Sequence, residues 1–342
     1  MKIFGKNPTG SRLQRIEQSP NYRNGQFQNV EQTSVMADVS FVKILKEYFS
    51  KPSSVQPQGE LPTTKVNLMT LDDAKPVIVW LGHSSYYFSF KGFRMLVDPV
   101  LSGNASPFSG IGKAFKGSDV YSVEDFPQLD VLLITHDHYD HLDYKTVLKL
   151  MPGVKRIITA LGVGSHLEYW GIESKKITEL DWWEIVKINS EIKLSAAPSR
   201  HFSGRLFKRA KTLWASFVLE IYDQKIYLGG DSGYGKHFKM IGEKYSGFDL
   251  AILDSGQYGK GWPLIHMIPE ETVQAGKDLN ASVVLPVHWS KFVLSVHPWN
   301  EPIKRFVRAA EQAEFKTVTP MIGQPLWYLD SAAIPVWWEY EK

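Results

Sequence analysis

The 342-residue chain reads as a layered α/β domain, with helices covering the faces of β-sheets, preceded by an N-terminal arm. Three observations carry this reading. From about residue 75, runs of β-forming residues alternate with helical patterns in both halves of the chain. The segment Val131–Thr135 is an unbroken apolar run, as expected for a strand buried on both faces. Ionisable residues recur directly after apolar strands, which is where open α/β sheets gather their sites.

Residues 1–70 are rich in Asn, Gln, Ser, Pro and Gly, and the stretch from Lys51 to Pro62 reads as an arm or linker. One helix is expected within it, because Val35, Val39, Val42, Leu45 and Phe49 recur at three- and four-residue spacing on one face. That face is expected to pack on the main domain, which spans residues 71–342. Strands are expected at Val77–Leu81, Tyr86–Phe90 and Phe93–Val97, with Lys91-Gly92 as a tight turn between the last two. After Val131–Thr135 come a helix from Tyr144 to Leu150 and a strand at Arg156–Thr159. Further strands are expected at 184–188, 191–197, 213–221, 225–229, 249–253 and 282–287. Helices are expected near 164–170, 236–245, 269–279 and 301–312, with Pro269 in a first turn where its missing N–H costs nothing. The sequence shows no internal repeat.

Composition narrows the chemistry. Apolar residues make up 43%, enough for a sizeable core. Lys and Arg total 39 against 36 Asp and Glu, a near-balance that argues against a nucleic-acid partner. With no cysteine, disulfides, thiolate catalysis and Cys-based zinc sites are excluded, so any metal must be held by His and carboxylates. No signal-peptide pattern or membrane-spanning apolar run is seen, so a cytoplasmic protein is expected, and peripheral membrane contact is compatible with it.

The most informative segment is Thr135-His136-Asp137-His138-Tyr139-Asp140-His141, which follows a buried-type strand. Imidazole and carboxylate are good ligands for zinc and similar divalent ions. His136 and His138 can turn toward one ion while Asp140 and His141 reach a second. Local hydrogen bonding would account for one His in a loop. It does not account for this cluster, because burying several unpaired ionisable groups is costly without a metal. His201, Asp231 and His288 also follow apolar strands. Gly229 and Gly230 are expected to let the backbone approach a bound ion or substrate.

The order H-x-H-x-D-H, followed by one His, one Asp and one His, resembles the metallo-β-lactamase superfamily over roughly residues 75–325. More closely, the chain is similar to the branch containing N-acyl phosphatidylethanolamine phospholipase D. The matching stretches are Trp80–His83, Thr135–Tyr144, Pro198–Phe202, Leu213–Phe217, Gly230–Tyr234, His266 with Pro269-Glu270-Glu271, and Val287-His288-Trp289, together with Ser19–Tyr22 and Gly25–Phe27 in the arm. The resemblance implies an αββα sandwich, two mixed β-sheets flanked by helices, with an N-terminal extension and a dinuclear site. It implies zinc, with manganese or iron as alternatives. His136, His138 and His201 would hold the first ion; Asp140, His141 and His288 the second; Asp231 would bridge them. His83 and His266 match family histidines near the site. A homodimer is also suggested by the family. Two departures, Asp254 where the branch carries an apolar residue and Ile265 where it carries a polar one, bear on headgroup specificity.

Two divalent ions lower the pKa of a shared water to near neutrality, so a metal-bridging hydroxide is the expected nucleophile, held by Asp140 and Asp231. Tyr139 or His266 would bind the phosphate or protonate the leaving group. The expected activity is a phospholipase D-type phosphodiesterase acting on N-acyl phosphatidylethanolamine or a related glycerophosphodiester. The alternative is a lactonase or other carbonyl hydrolase resembling ascorbate-6-phosphate lactonase. Two features suit a lipid or small phosphodiester partner. Trp182, Trp183, Trp262, Trp299, Trp337 and Trp338 would line a groove or face a membrane. Arg200, Arg205, Lys208, Arg209 and Lys211 would meet anionic headgroups.

Overall fold

Two mixed sheets carry the architecture of the computed structural model, which describes residues 2–37, 50–108, 110–205, 208–330 and 336–339. Helix α1 (Gly10–Glu17) precedes a short hairpin of β1 (Tyr22–Arg23) and β2 (Gln26–Phe27). The first sheet is built from β3 (Val77–Trp80), β4 (Tyr86–Phe90), β5 (Phe93–Val97), β6 (Leu129–Ile134), β7 (Val154–Ala160) and β8 (Ile177–Leu180). Helices α2 (Tyr144–Leu150) and α3 (Gly164–Tyr169) lie between its last strands. The second sheet begins with β9 (Ile185–Lys187) and β10 (Ile192–Ala197). A separate hairpin, β11 (Gly204–Arg205) and β12 (Lys208–Arg209), follows. Then come β13 (Ser216–Ile221), β14 (Gln224–Leu228), β15 (Leu250–Asp254) and β16 (Val284–Val287). Helix α4 (His237–Tyr245) separates β14 from β15, α5 (Pro269–Asp278) separates β15 from β16, and α6 (Glu301–Gln312) packs beside α5. Strand β17 (Pro325–Leu326) returns to the edge of the first sheet.

The strand orders are β17-β3-β4-β5-β6-β7-β8 and β16-β15-β14-β13-β10-β9. Each sheet begins as an antiparallel meander, β3 to β5 and β9 to β14. Each then turns parallel, through β6, β7 and β8 in one and through β15 and β16 in the other. Parallel neighbours need a long crossover, which the helices supply except between β5 and β6, joined by the long connection 98–128. The two halves thus share a plan that no sequence repeat announces. Both sheets contribute to one continuous core, and Val131 to Ile134 are fully buried in it. The layered fold and the αββα sandwich are therefore as expected.

Several local expectations hold for the stated reasons. Lys91 and Gly92 both have positive φ (47° and 82°), the geometry a two-residue hairpin turn needs. Pro269 opens α5. Pro286 is accommodated because β16 is the edge of its sheet, where one face of the ladder needs no donor. Strand β8, Ile-Thr-Glu-Leu, lacks an apolar run because it sits at the other sheet's edge, half exposed.

Of the helix expected through Val35, Val39, Val42, Leu45 and Phe49, only Val35 falls within the described residues, and it lies in a bend rather than a helix. The described arm does pack on the main part of the chain. Arg12 reaches Glu168 and Glu179 at 2.8 and 2.7 Å. Asn21 donates to Asp181 at 2.8 Å, and Phe27 is buried in the core. No described helix is long and apolar enough to cross a membrane.

Candidate metal centre

The expected site residues converge at one edge of the sandwich because they follow strand ends that the sheets bring together. His83 follows β3, residues 135–141 follow β6, His201 follows β10, Asp231 follows β14, and His288 follows β16. Among the described residues, three groups of His and Asp have ligand atoms within 4.8 Å of one another, and all three lie here. One comprises His136, His138, His201 and Asp231. Another comprises His83, Asp140, His141 and His288. The third comprises Asp231, Asp254, His266 and His288.

Asp231 faces two ways. Its Oδ1 lies 3.1 Å from His141 Nε2 and 2.9 Å from His288 Nδ1. Its Oδ2 lies 3.7 Å from His136 Nε2 and 3.6 Å from His201 Nε2. His138 Nδ1 sits 2.9 Å from His136 Nε2 and 3.2 Å from His201 Nε2. Asp140 Oδ2 is 3.6 Å from His141 Nε2 and accepts from His83 Nε2 at 2.9 Å.

The far side of each ring decides which nitrogen is free. His141 donates from Nδ1 to Asp98 Oδ2 at 2.7 Å. His201 donates from Nδ1 to the Ile265 carbonyl at 2.9 Å. Thr135 Oγ1 donates to Asp98 and so accepts from His136 Nδ1, 3.0 Å away. With Nδ1 carrying the proton in each case, the Nε2 lone pairs of His136, His141 and His201 point to the centre, which is how outer hydrogen bonds prepare imidazole for a metal.

The charges agree with this arrangement. Burial opposes ionisation of Asp231, but His141 and His288 outweigh it and hold the carboxyl well below its usual range. Asp140 is held low likewise, with His141 and His83 overcoming burial. Burial would lower His141, yet Asp231, Asp140 and Asp98 push it well above its ordinary value. Three carboxylates thus call for positive charge at a buried nitrogen. With the His141 proton on Nδ1, its buried Nε2 has no donor to accept from and faces Asp231 Oδ1 lone pair to lone pair at 3.1 Å. Orphaned buried polar atoms are rare and costly, and divalent cations among these donors would satisfy them. The residues present fit metal ions.

The backbone is strained at the same place. His83, Asp98 and His288 adopt left-handed φ of 51°, 40° and 69°, each costing of order 1–3 kcal/mol for a non-glycine residue. Gly229 and Gly230 sit where the backbone is closely packed. A Cβ on Gly229 would come within 2.6 Å of the Ile252 carbonyl, and one on Gly230 within 3.0 Å of Thr135 Cβ. They let the turn before Asp231 pack closely on Ile252 and on Thr135, beside the ligand loop.

A cleft of about 270 Å³ opens over the centre. His138, Asp140, His201, Asp231, His266 and His288 form its floor, and Val35, Met36, Phe202, Trp262, Ile265 and Leu294 form an apolar wall, with Arg209 and Gln257 beside them. Two grooves of about 610 Å³ lie elsewhere, away from every metal-capable group. His266 is therefore where a catalytic residue should be. Its pKa is raised, because Asp254 overcomes the effect of burial. Tyr139 is not: it does not line the cleft, its hydroxyl is buried, and its ring lies 4.0 Å from the Arg205 guanidinium.

The basic stretch and the tryptophans also divide. Arg205 is buried, Arg200 binds the carbonyls of Gln32 and Tyr234, and Lys211 binds that of Gly25. Lys208 is exposed, and only Arg209 reaches the cleft. Trp182, Trp337 and Trp338 are buried in the core, whereas Trp262 lines the cleft.

Several contributors escape sequence reasoning. Asp98 orients His141 and Thr135, and its position directly after β5 was the available signal. Ser84 Oγ lies 2.9 Å from His288 Nδ1. Asn29 exchanges hydrogen bonds with the His201 backbone at 2.8 and 3.1 Å, bringing the arm to the cleft with no local pattern to announce it.

His237 supports the Asp231 loop through Ser232 Oγ at 3.1 Å, and burial pushes its pKa down to about 3. Above the unfolded value of about 6.5, His237 is neutral folded or unfolded. Below it, only the unfolded chain takes the proton, so stability falls as pH drops toward the folded value, by up to about 1.4 kcal/mol per unit from this residue. Urea midpoints at neutral and mildly acidic pH are expected to differ less for His237→Gln than for the wild type. Equal pH sensitivity would contradict this account.

Residues 93–289 match the family model described as the beta-lactamase superfamily domain. An uncharacterized protein of Mycobacterium tuberculosis is 37% identical over 329 residues, covering 94% of this chain and 88% of the other. The N-acyl-phosphatidylethanolamine-hydrolyzing phospholipase D 1 of Caenorhabditis elegans is 32% identical over 247 residues, covering 67% and 69%. Among solved structures, the metallo hydrolase Igni18 of Ignicoccus hospitalis superposes with a TM-score of 0.57 at 18% identity, covering 74% of this chain and 97% of that one.

Proposed function

The chain belongs to the metallo-β-lactamase superfamily as a metal-dependent hydrolase, and from that premise we propose a dinuclear phosphodiesterase of phospholipase D type. Its substrate is N-acyl phosphatidylethanolamine or a related glycerophosphodiester. Zinc is the expected metal, given the imidazole-rich donor set. His136, His138 and His201 would hold one ion, Asp140, His141 and His288 the other, and Asp231 would bridge them. Bound there, the ions supply an activated water and electrophilic stabilisation of the phosphoryl oxygens.

The chain's own residues do the rest. Asp140 and Asp231 accept hydrogen bonds from the attacking water and orient it. As the new P–O bond forms, the P–O bond to the alcohol breaks, and His266 gives the leaving oxygen a proton. The water gives one proton to solvent before it attacks, and its second leaves to solvent as the product monoester ionises. The apolar wall excludes water and accommodates lipid chains.

The observation that carries the diester reading is Arg209. It is the one Lys or Arg among the described residues of the cleft, and its guanidinium lies 5.2 Å from the Phe202 ring, which packs on His138 and His201. An anionic diester or a phosphorylated lactone gains from that charge, and an uncharged lactone does not. The apolar wall beside it favours a peripheral approach to lipid. Purified enzyme should release N-acylethanolamine and phosphatidic acid from N-acyl phosphatidylethanolamine. Arg209→Glu should lower kcat/KM on the diester roughly tenfold, mainly through KM, and weaken its salt dependence. Faster turnover of a lactone than of any diester, indifferent to Arg209→Glu, would favour the carbonyl hydrolase.

A further inference from the structure

Asp254 ends β15, one strand from Asp231, and its carboxylate is fully buried. It accepts from Gly256 N at 3.1 Å, Ser232 N at 3.3 Å and His266 Nδ1 at 2.8 Å. Thr272 Oγ1 donates to its carbonyl at 2.8 Å. The carboxylate is thus clamped by backbone on both sides, and its side-chain partner is the imidazole of His266. That imidazole lines the cleft, with its ring stacked on His288 at 4.9 Å and edge-on to His201 at 5.0 Å. A carboxylate only accepts, so Nδ1 carries a proton and the opposite ring edge, with Nε2, faces the cleft. Nε2 makes no hydrogen bond among the described residues.

A buried carboxylate is expensive, and an apolar side chain would fill this position without that cost. The gain must lie in what the carboxylate holds. We propose that Asp254 is a positioning residue that fixes His266 in one tautomer and one rotation, with Nε2 aimed at the leaving-group oxygen of an unactivated alcohol. This rests on the phosphodiesterase reading above. The imidazolium transfers its Nε2 proton to the oxygen as the P–O bond breaks, the bonding pair stays on that oxygen, and Nδ1 keeps its proton on Asp254. The ring recovers a proton from solvent. Such a device matters for an alkyl alcohol and hardly at all for a leaving group stable as an anion.

The test uses full-length enzyme with its metal content measured. The wild type is compared with Asp254→Asn, Asp254→Leu, His266→Gln and the Asp254→Asn/His266→Gln double variant. Two phosphodiesters are used, one releasing an alkyl alcohol and one releasing p-nitrophenol. On the alkyl ester, Asp254→Asn is expected to lower kcat by about 10²-fold with KM little changed. The nitrophenyl ester should be nearly unaffected, metal content unchanged, and the double variant no worse than His266→Gln. Asp254→Leu should show the same selectivity, separating positioning from mere burial of charge. Equal losses on both esters, additivity in the double variant, or loss of metal from Asp254→Asn would overturn the proposal. The last would make Asp254 a ligand, as its place in the third cluster allows. A wild type that cleaves neither ester would overturn both this inference and the functional reading beneath it.

Discussion

Asp231→Asn is expected to reduce turnover by about 10³-fold or more and to strip metal from both positions. His138→Ala should remove one equivalent and leave the other. The difference follows from geometry. Asp231 Oδ1 meets His141 and His288 at 3.1 and 2.9 Å, while Oδ2 faces His136 and His201 at 3.7 and 3.6 Å. His138 touches only the first group. Asparagine keeps the shape and removes the charge that holds His141 raised, so the loss is electrostatic rather than steric. Metal quantification beside kcat measures both effects. An Asp231→Asn enzyme with the wild-type metal content would rule out a bridging role.

The centre was legible in the sequence to the extent that it is local. His136, His138, Asp140 and His141 crowd one loop after a fully apolar strand, and His201, Asp231 and His288 each stand just past a strand end. A strand-end rule is enough to gather them, because parallel strands place their C-terminal ends on one edge. The same rule, applied to Leu96-Val97-Asp98, would have found the carboxylate that sets the His141 tautomer. What no local pattern could supply is contact across the chain. Asn29 reaches the His201 backbone, and Val35 and Met36 reach the cleft, from an arm expected to pack on the main domain but with no local pattern that places it at the site.

Charge patterns misled for a related reason. Arg200, Arg205, Lys208, Arg209 and Lys211 look like one basic surface in sequence. The fold sends them in different directions, one into the core, two onto backbone carbonyls, one into solvent and one into the cleft. Tyr139 was drawn into the site by its neighbours in sequence, but alternate residues of the ligand loop point to opposite sides. Asp137 shows what the outer side does. Burial would raise its pKa, but His166 and Arg205 hold it well below the usual range, so it serves the scaffold rather than the metal. Its bonding shows the same, with Gly204 N, Thr212 Oγ1 and His166 Nε2 at 2.6, 2.8 and 3.0 Å.

Arg205→Ala is expected to cost about 3–5 kcal/mol of stability, the range for breaking a buried charge network, and to weaken metal binding roughly 10–100-fold, as loss of an outer support does. Arg205 is 5% exposed. It donates to the carbonyls of Asp137 at 2.7 Å, Leu142 at 3.0 Å and Ile3 at 2.7 Å, and its guanidinium covers the Tyr139 ring. One side chain therefore ties both ends of the ligand loop to each other and to the start of the chain. Truncation leaves three carbonyls without that donor and opens a cavity under the loop. Arg205→Lys keeps the charge but cannot span three acceptors with a planar fork, so it should recover part of the stability and little of the metal affinity. Urea denaturation and competitive metal titration on the two variants measure these separately. If stability fell while metal affinity held, Arg205 would act on the core alone, and the ligand loop would have to owe its shape to Asp98, Thr135 and Asp137.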